Sequence, residues 1–168
     1  MPKGMFVPNG RKDRTCVVVD VRKTKTAAAA DLFFQIEPRK DFEALWILRA
    51  LVSGIEIDPL VVEQATGIEL VRWQDLMDRM KTAKYGVIFF GMGLTMTHGK
   101  HANTEALLAL TRDMNAHTRF ICRPMRGHGN VTGADHVVSW RTGYPFGVNH
   151  ARGYPRFKPP FPAQKGLW

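Results

Sequence analysis

Cysteine and serine are scarce in this chain of 168 residues, and acidic residues are nearly absent from its last third. The two cysteines, Cys16 and Cys122, each lie in an apolar, strand-like run. We therefore expect two buried free thiols and a reducing, cytoplasmic compartment. The serines are Ser53 and Ser139, and no G-x-S-x-G motif surrounds either one. A self-contained serine or cysteine hydrolase is therefore disfavoured.

Long hydrophobic runs are also missing. No apolar stretch approaches the roughly 20 residues that span a bilayer, and the basic amino terminus lacks the apolar stretch of a signal peptide. We expect no membrane partner. A hydrophobic content of 45% still suffices for one core. Because a strand-like run follows soon after the start and the end is proline-rich, we expect the sequence to be part of a longer protein.

Positive charge is concentrated near the carboxyl terminus. Residues 117–168 carry eight Lys or Arg against a single acid, Asp135, and so contribute +7 of the formal net charge of +9. Clustered guanidinium groups suit a phosphate-bearing or carboxylate-bearing partner. Nucleic acid is the competing partner on charge grounds. It is disfavoured because the chain has no zinc-finger spacing, no aromatic RNP-type motif and no basic heptad region.

Short apolar, β-branched runs predict the strands of the fold. They are Cys16–Asp20, Leu32–Ile36, Gly86–Phe90 and Arg119–Cys122, with Val137–Trp140 as a candidate last strand. Three helices are predicted between them. Asp41 is expected to cap a helix that runs to Val52, a second helix covers Leu70–Thr82, and a third covers Asn103–Met114.

The order strand, loop, helix, strand is typical of parallel crossover units. We predict an α/β fold, a doubly wound and mostly parallel sheet, over residues 1–122. Ligands are expected at the carboxyl ends of its strands. Residues 123–168 are predicted to be an irregular segment rich in glycine, arginine and proline, because glycine and proline interrupt helices and strands. We expect this segment to pack on the same domain, on parts of the protein outside this sequence, or on partners.

Two strand ends carry candidate binding residues. Asp20 and Arg22 follow the first strand, where a carboxylate can accept from a ribose hydroxyl or a guanine edge and a guanidinium can hold a phosphate. A solvated turn is the alternative interpretation. Gly91-Met92-Gly93 opens like a dinucleotide fingerprint, but the third glycine falls at Gly99. A tight turn without a ligand fits this spacing equally well.

The six histidines do not predict a metal site. His98 and His101 in one group, and His128, His136 and His150 in another, lack the cysteine or carboxylate partners of a preorganised zinc site. Loop histidines that hydrogen-bond to the backbone are the simpler interpretation. His128 is the candidate for proton transfer, because it lies between two glycines and close to Arg126 in the sequence.

Several segments together match a known pattern. The run from Val17 to Ala27, with Ala30-Asp31 and the segment from Ile36 to Leu45, resembles the pterin-dinucleotide-binding half of the molybdopterin oxidoreductases. More specific are the segments Phe89–Thr95, Pro124–Gly133 and Gly143–Arg156, together with Asn103. They resemble the B subunits of formylmethanofuran dehydrogenases and the B-type chain of the bacterial formyltransferase/hydrolase complex, over nearly the whole sequence.

The resemblance implies a Rossmann-like pterin-dinucleotide-binding domain in an enzyme complex of one-carbon metabolism. The complex transfers formyl groups between formate or CO2, a methanofuran-type carrier and tetrahydromethanopterin. In the complete dehydrogenase subunit the implied cofactor is molybdopterin guanine dinucleotide with tungsten or molybdenum. The implied partners are the other subunits of the complex, with the methanofuran-type carrier bound through a neighbouring subunit.

By the same resemblance, site residues can be assigned motif by motif. Asp20 and Asp41 would face the guanosine end, and Arg22 and Thr24 would lie near its phosphates or in the adjoining turn. A second strand-end loop beneath the dinucleotide would be formed by Gly91, Gly93 and Leu94. The active-site side would contain Arg126, Gly127, His128 and Asn130, of which Arg126, His128 and Asn130 are the candidate catalytic residues.

This sequence also departs from the family. Val21 replaces a common proline, and Arg39-Lys40-Asp41 replaces a common glycine-threonine-aspartate. No segment resembles the cysteine-bearing region that ligates an iron–sulfur cluster and the metal. We therefore expect the chain alone to be inactive. The alternative function is a non-catalytic scaffold of the bacterial complex that has neither metal nor pterin.

Overall fold

The computed structural model describes residues 3–125 and 127–157. The chain divides into two compact units, Met1–Met125 and Arg126–Trp168. We refer to them as unit 1 and unit 2 and describe each one separately. Helices and strands are mixed in both. The predicted α/β character is therefore confirmed at this level.

Unit 1 contains four strands and six α-helices among its described residues. The strands are β1 (Val17–Asp20), β2 (Leu32–Gln35), β3 (Gly86–Phe90) and β4 (Phe120–Pro124). The helices are α1 (Lys25–Ala28), α2 (Asp41–Val52), α3 (Pro59–Thr66), α4 (Leu70–Thr82), α5 (Met92–Met96) and α6 (Lys100–Met114), preceded by a 3-10 helix at Gly10–Asp13. The four predicted strands and three predicted helices of this region are confirmed to within about three residues. The short helices α1, α3 and α5 were not predicted.

The strands of unit 1 pair in parallel. β1 pairs with β2, with Val17 opposite Leu32, and β3 pairs with β4, with Gly86 opposite Phe120. In the described residues these are two separate two-stranded sheets rather than one continuous sheet. Both pairs have helical connections, as parallel strands require. The carboxyl ends of β1 and β3 lead into the loops that contain the predicted binding residues.

Helices enclose the core of unit 1. α2 packs against α3, α4 and α6, and α6 also packs against β4. Fully buried Trp73 stacks near Phe34 with ring centroids 4.9 Å apart. The indole N–H of Trp73 donates to the hydroxyl of Thr66 at 3.3 Å, so its one polar atom is satisfied inside the core. The remaining buried apolar side chains of this core come from α2, α3, α4, α6 and β4, and from Ile36 and Ile68 in the connecting segments.

A partly buried ion pair joins α2 to α6. The guanidinium of Arg49 donates to the carboxylate of Asp113 at 3.0 Å and lies 4.3 Å from the centre of the Trp46 ring. Burial would raise the pKa of the Asp113 carboxyl, but hydrogen bonds from Arg112 and Arg49 outweigh it, and the pKa lies below its ordinary value. α2 and α6 are therefore held together by packing and by a charge pair.

Unit 2 is smaller. Its described residues form α7 (Val131–Thr142) and an antiparallel pair of two-residue strands, β5 (Val148–Asn149) and β6 (Arg156–Phe157). The expected strand at Val137–Trp140 is wrong, because these residues lie inside α7. The expectation that residues 123–168 are irregular is wrong for Arg123 and Pro124, which end β4, and for residues 131–142, which form α7. No helix among the described residues of either unit is long and apolar enough to cross a bilayer.

Candidate functional site

The predicted binding residues of unit 1 follow two parallel strands. Asp20 is the last residue of β1, Gly91 directly follows β3, and Asp41 is the first residue of α2. The carboxyl end of a parallel strand is where open α/β sheets bind ligands. The backbone of this unit therefore places the predicted residues at strand and helix ends.

The turn after β1 is ordered by its own side chains. The amide of Arg22 donates to the carboxylate of Asp20 at 3.3 Å, and the side chain of Arg22 is exposed. The hydroxyl of Thr24 accepts from the amide of Ala27 at 3.2 Å and thereby caps α1. Thr24 therefore has a structural role in the turn, while Asp20 keeps accepting capacity for further donors.

Asp41 lies in the first turn of α2 but does not cap it, so that prediction is wrong. Lys40 occupies the cap position, and its side chain makes no capping hydrogen bond. The carboxylate of Asp41 is only partly exposed and accepts from the hydroxyl of Thr97 at 3.4 Å. A carboxylate in the first turn is favoured by the helix dipole. Its location leaves it available to a ligand rather than to the helix.

Burial is the main influence on the charge of Asp41, and it raises the pKa of this carboxyl above its ordinary value. Hydrogen bonds from its own backbone amide and from Thr97 oppose that shift. The negative charges of Glu43 and Asp20 add to it. The charge of Asp20, 21 positions earlier in the sequence, makes the smallest of these contributions, so the two carboxylates lie within electrostatic range of each other. Such a pair suits a ligand that donates several N–H or O–H groups.

The residues before α2 keep a backbone conformation that suits glycine. Arg39 has φ of +73°, in the left-handed region that side chains rarely adopt. The resembled family commonly has glycine at this position. Arg39 therefore adopts a glycine-like conformation close before Asp41, at a backbone cost on the order of 1 kcal/mol.

The expected glycine loop after β3 is a short helical segment, because Gly91 directly precedes α5 and Gly93 and Leu94 lie inside it. A Cβ added to Gly91 or Gly93 would meet no atom within 4 Å, and neither residue has a positive φ. The turn itself therefore does not require glycine at either position. Leu94 lies in the same segment, and its carbonyl oxygen accepts from the side chain of Asn103 at 3.0 Å. A ligand can approach the backbone closely at a glycine, because no side chain is present there and the space beside it is open.

Two residues of this site had no predicted role. Thr97 contacts Asp41, and Asn103, which is fully buried, donates to Thr97 at 3.2 Å. A signal for Asn103 was present in the sequence, because it shares a helical face with Leu107, Leu110 and Met114 and is the polar member of that apolar face. Thr97 gave no comparable signal. Its role depends on a contact across 56 positions.

The candidate catalytic residues belong to unit 2 or lie outside the described residues. His128 and Asn130 are exposed, and Asn130 adopts φ of +49° at the start of α7. The side chain of Asn130 lies over Gly133, where an added Cβ would come within 2.4 Å of its nitrogen. Arg126 is the residue that falls outside. The structure therefore does not bring these three residues together into a described site, and their catalytic roles stay predictions.

Metal ligands do not cluster in the part of the chain that the structure describes. No group of three or more His, Cys, Asp or Glu side chains there could hold a metal ion. Cys16 and Cys122 are free, as expected, but both are partly exposed, so the expectation that the thiols are buried is wrong.

Known proteins resemble this chain in sequence. It is 45% identical over 157 residues to the B subunit of the tungsten-containing formylmethanofuran dehydrogenase 2 of Methanocaldococcus jannaschii, and the match covers 94% of this chain and 35% of the relative. The corresponding subunit of Methanococcus maripaludis is 45% identical over 158 residues, with 94% and 36% covered. The chain thus spans about a third of the length of these relatives. No protein-family model matches it.

The fold resembles a solved structure. The formyltransferase/hydrolase complex (FhcABCD) of Methylorubrum extorquens, determined with methylofuran, contains a chain that matches with a TM-score of 0.53. The match has 22% sequence identity and covers 85% of this chain and 35% of the other. At this identity the likeness concerns the fold alone. The sequence relatives carry the assignment: the chain is a homologue of part of the B subunit of the tungsten-containing formylmethanofuran dehydrogenases, as its motifs predicted.

Proposed function

We propose that this chain acts as part of a B subunit in a formylmethanofuran dehydrogenase-type complex of one-carbon metabolism, and that unit 1 binds the guanosine end of a pterin dinucleotide. The activity belongs to a complex that moves formyl groups between formate or CO2, a methanofuran-type carrier and tetrahydromethanopterin. The 45% identity to the B subunits of two tungsten-containing dehydrogenases supports the family role. In the complete protein, tungsten or molybdenum on the pterin would supply the redox chemistry.

One observation carries the binding proposal: the hydroxyl of Thr97, in the segment that follows β3 and α5, donates to the carboxylate of Asp41 at 3.4 Å, and the charge of Asp20 at the end of β1 also acts on Asp41. Guanine presents a ring N–H and an amino group on one edge, and carboxylate oxygens accept from such donors with charge-assisted bonds. The ribose hydroxyls offer further donors. Two acceptors at neighbouring strand and helix ends therefore suit a guanosine.

The glycines complete this proposed site. Open space in front of Gly91 and Gly93 lets the ligand approach the backbone closely. Arg22, exposed beside Asp20, would hold a phosphate as a cation. In this arrangement the carboxylates select the base and ribose, while the arginine and the loop orient the phosphates. The doubly wound, Rossmann-like topology remains a proposal of the same kind.

The partners are proposed from unit 2. Its exposed aromatic residues include Trp140, at 75% exposure, and a group in which Tyr144 and Phe146 contact Phe157 with ring centroids 5.8 and 6.3 Å apart. Exposed arginines, Arg141, Arg152 and Arg156, lie in the same unit. Aromatic residues and arginine are enriched in the centres of protein interfaces. We infer that this surface contacts other subunits, one of which would bind the methanofuran-type carrier.

Titration with GMP, followed by calorimetry, tests the binding site. Asp20→Ala and Asp41→Ala should each weaken GMP binding by about 1–3 kcal/mol, on the order of 5- to 150-fold, because each removes a charge-assisted acceptor. Asp75→Ala is the matched control, since this carboxylate is exposed on α4 and pairs with Arg79 at 2.8 Å. It should leave binding unchanged.

Equal GMP affinity in the parent and in both site variants would mean that the nucleotide is not held here. The scaffold function, without metal or pterin, would then be favoured. Purification of the complex from its native host, with identification of every protein and small molecule that stays bound, separates the two functions independently of the variants.

A further inference from the structure

The side chain of Asn103 is the centre of a buried polar network in unit 1. It is fully inaccessible to solvent, and its amide nitrogen lies 3.0 Å from the carbonyl oxygen of Leu94 and 2.9 Å from that of His98. The hydroxyl oxygen of Thr97 is a third acceptor at 3.2 Å, so the two hydrogens of the amide nitrogen are shared among three oxygens. Three oxygens face the same atom, so it must be the nitrogen of the amide. The reversed orientation would place oxygen against oxygen.

Thr97 connects this network to the candidate binding site. Its hydroxyl has a single hydrogen, and the acceptors in reach are the carboxylate of Asp41 at 3.4 Å and the carbonyl of Leu94 at 3.3 Å. Because Asn103 donates to the hydroxyl oxygen, the hydroxyl hydrogen must point away from Asn103. The carbonyl of Leu94 already accepts from Asn103. The Asp41 carboxylate is therefore the acceptor that gains most from this hydrogen.

Gly99 lies next to the oxygen of the Asn103 side-chain amide. The Oδ1 atom of Asn103 has no hydrogen-bond partner among the described residues and is buried. It lies 2.6 Å from where a Cβ of residue 99 would be, and Gly99 has φ of +93°. The chain from Leu94 to Gly99 thus wraps the Asn103 side chain on both sides. An amide buried with one atom unsatisfied is costly and is kept where it fixes a particular conformation.

We propose that Asn103 is a positioning residue that acts through the hydroxyl of Thr97 to hold the carboxylate of Asp41 in place and to favour its charged form. The inference rests on the proposed function in that it takes Asp41 as a ligand-binding group. Asn103 itself touches no ligand. Its amide orders the loop after α5, and the ordered hydroxyl then donates to the carboxylate.

The charged groups that act on Asp41 come from two elements. Asp20 at the end of β1 and Glu43 in α2 are both acidic, and Glu43 is paired with Lys40 at 3.1 Å. Both acids and the burial of Asp41 raise its pKa, whereas Thr97 lowers it. Removing the Thr97 hydroxyl must therefore move the titration of Asp41 to higher pH. A residue with a purely structural role would not produce this shift.

The test is an NMR titration of the side-chain carboxyl carbon of Asp41 in the full chain, without nucleotide. Thr97→Val should shift the midpoint upward, and Thr97→Ser, which keeps a hydroxyl, should restore the parent midpoint. Thr111→Val is the matched control, because that hydroxyl is buried on α6 and donates to the carbonyl of Leu107 at 2.9 Å. It should leave the midpoint of Asp41 unchanged.

Asn103 is tested in two further ways. Asn103→Ala should shift the Asp41 midpoint in the same direction as Thr97→Val, and the double variant should shift it no further than the larger single effect. Should Asn103→Ala fail to fold, hydrogen exchange in the parent still decides: the side-chain amide protons of Asn103 should be protected, whereas fast exchange overturns the proposal. A parental midpoint in Thr97→Val overturns it as well.

These outcomes are separate from those of the proposed function. The titration is measured without ligand, so loss of GMP binding in Asp41→Ala with an unchanged midpoint in Thr97→Val rejects only the positioning role. Conversely, an upward shift in Thr97→Val with unaltered GMP affinity in Asp20→Ala and Asp41→Ala rejects only the nucleotide site.

Discussion

At the scale of single residues, Gly91 and Gly99 are alike in sequence but differ in their surroundings. Gly91 has an extended backbone and open space, whereas Gly99 has φ of +93° and lies against Asn103. The first glycine is free to serve a ligand, and the second is required by the fold. By sequence spacing alone, both glycines belong to one loosely spaced glycine motif. Only the contact with Asn103 distinguishes their roles.

This difference gives a stability prediction. Gly99→Ala should lower the free energy of unfolding by about 1–3 kcal/mol, because the methyl group meets Asn103 and the backbone is left-handed. Gly91→Ala should change it by no more than about 0.5 kcal/mol, since nothing lies near its Cβ. Urea denaturation of both variants measures the two values. Equal losses in both would contradict the assigned roles.

The assignment of Asp20 and Asp41 came from motif resemblance, and the structure adds their interaction. The sequence could identify each carboxylate at an element end but not their proximity, because residues 21–40 form a turn, a short helix and a strand between them. Thr97 was missed for the same reason. Contacts across tens of positions depend on how the elements pack, which local patterns do not contain.

At the scale of elements, the pairing of β3 with β4 depends on one close approach. Gly86 lies opposite Phe120, and a Cβ on residue 86 would come within 2.1 Å of the phenyl ring. Phe120 is 6% exposed and belongs to the core. The aromatic ring therefore covers the glycine in the neighbouring strand, and the absence of a side chain at residue 86 lets the ring pack there.

Gly86→Ala should accordingly destabilise unit 1 by about 1–3 kcal/mol through overpacking. Phe120→Leu alone should also destabilise it, because it leaves space in the core. In the double variant the smaller leucine makes room for the methyl group, so the combined loss should be less than the sum of the two. Thermal or urea denaturation of the three variants gives the coupling energy, and strict additivity would contradict this packing.

Elements with a strong apolar pattern were predicted well, and those without one were not. α4 matches its predicted bounds, Leu70–Thr82, because Trp73, Leu76 and Met77 form a buried stripe at helical spacing. α7 has no buried residue, so no periodic stripe marks it. Because valine is β-branched and favours strands, the valines of α7 led to the wrong prediction of a strand there. α3 was missed although Asp58 caps it and Pro59 begins it, a pattern typical of helix starts.

At the scale of the whole molecule, the buried core belongs to unit 1. All residues of the hydrophobic cluster lie between Phe34 and Phe120. Among residues 127–157, the described part of unit 2, none is buried. Hydrophobic burial is the main favourable term in folding. Unit 1 therefore has its own source of stability, and the described part of unit 2 has little.

We predict that residues 1–125 expressed alone unfold cooperatively with a thermal midpoint close to that of the full chain. Residues 126–168 alone should show no cooperative transition. Circular dichroism and calorimetry of the three chains check this. A large fall in the midpoint of unit 1 on removal of residues 126–168 would contradict it and would show that unit 2 contributes to the core.

The sequence by itself determined the family, the α/β character, and the strands and helices with strong apolar patterns, because these follow from local motifs and periodicity. It also placed carboxylates and glycines at the ends of β1 and β3. The tertiary structure decided which of these residues act together. The interaction of Asp20 with Asp41, the link through Thr97 to Asn103, and the different roles of Gly91 and Gly99 arise from packing between distant segments.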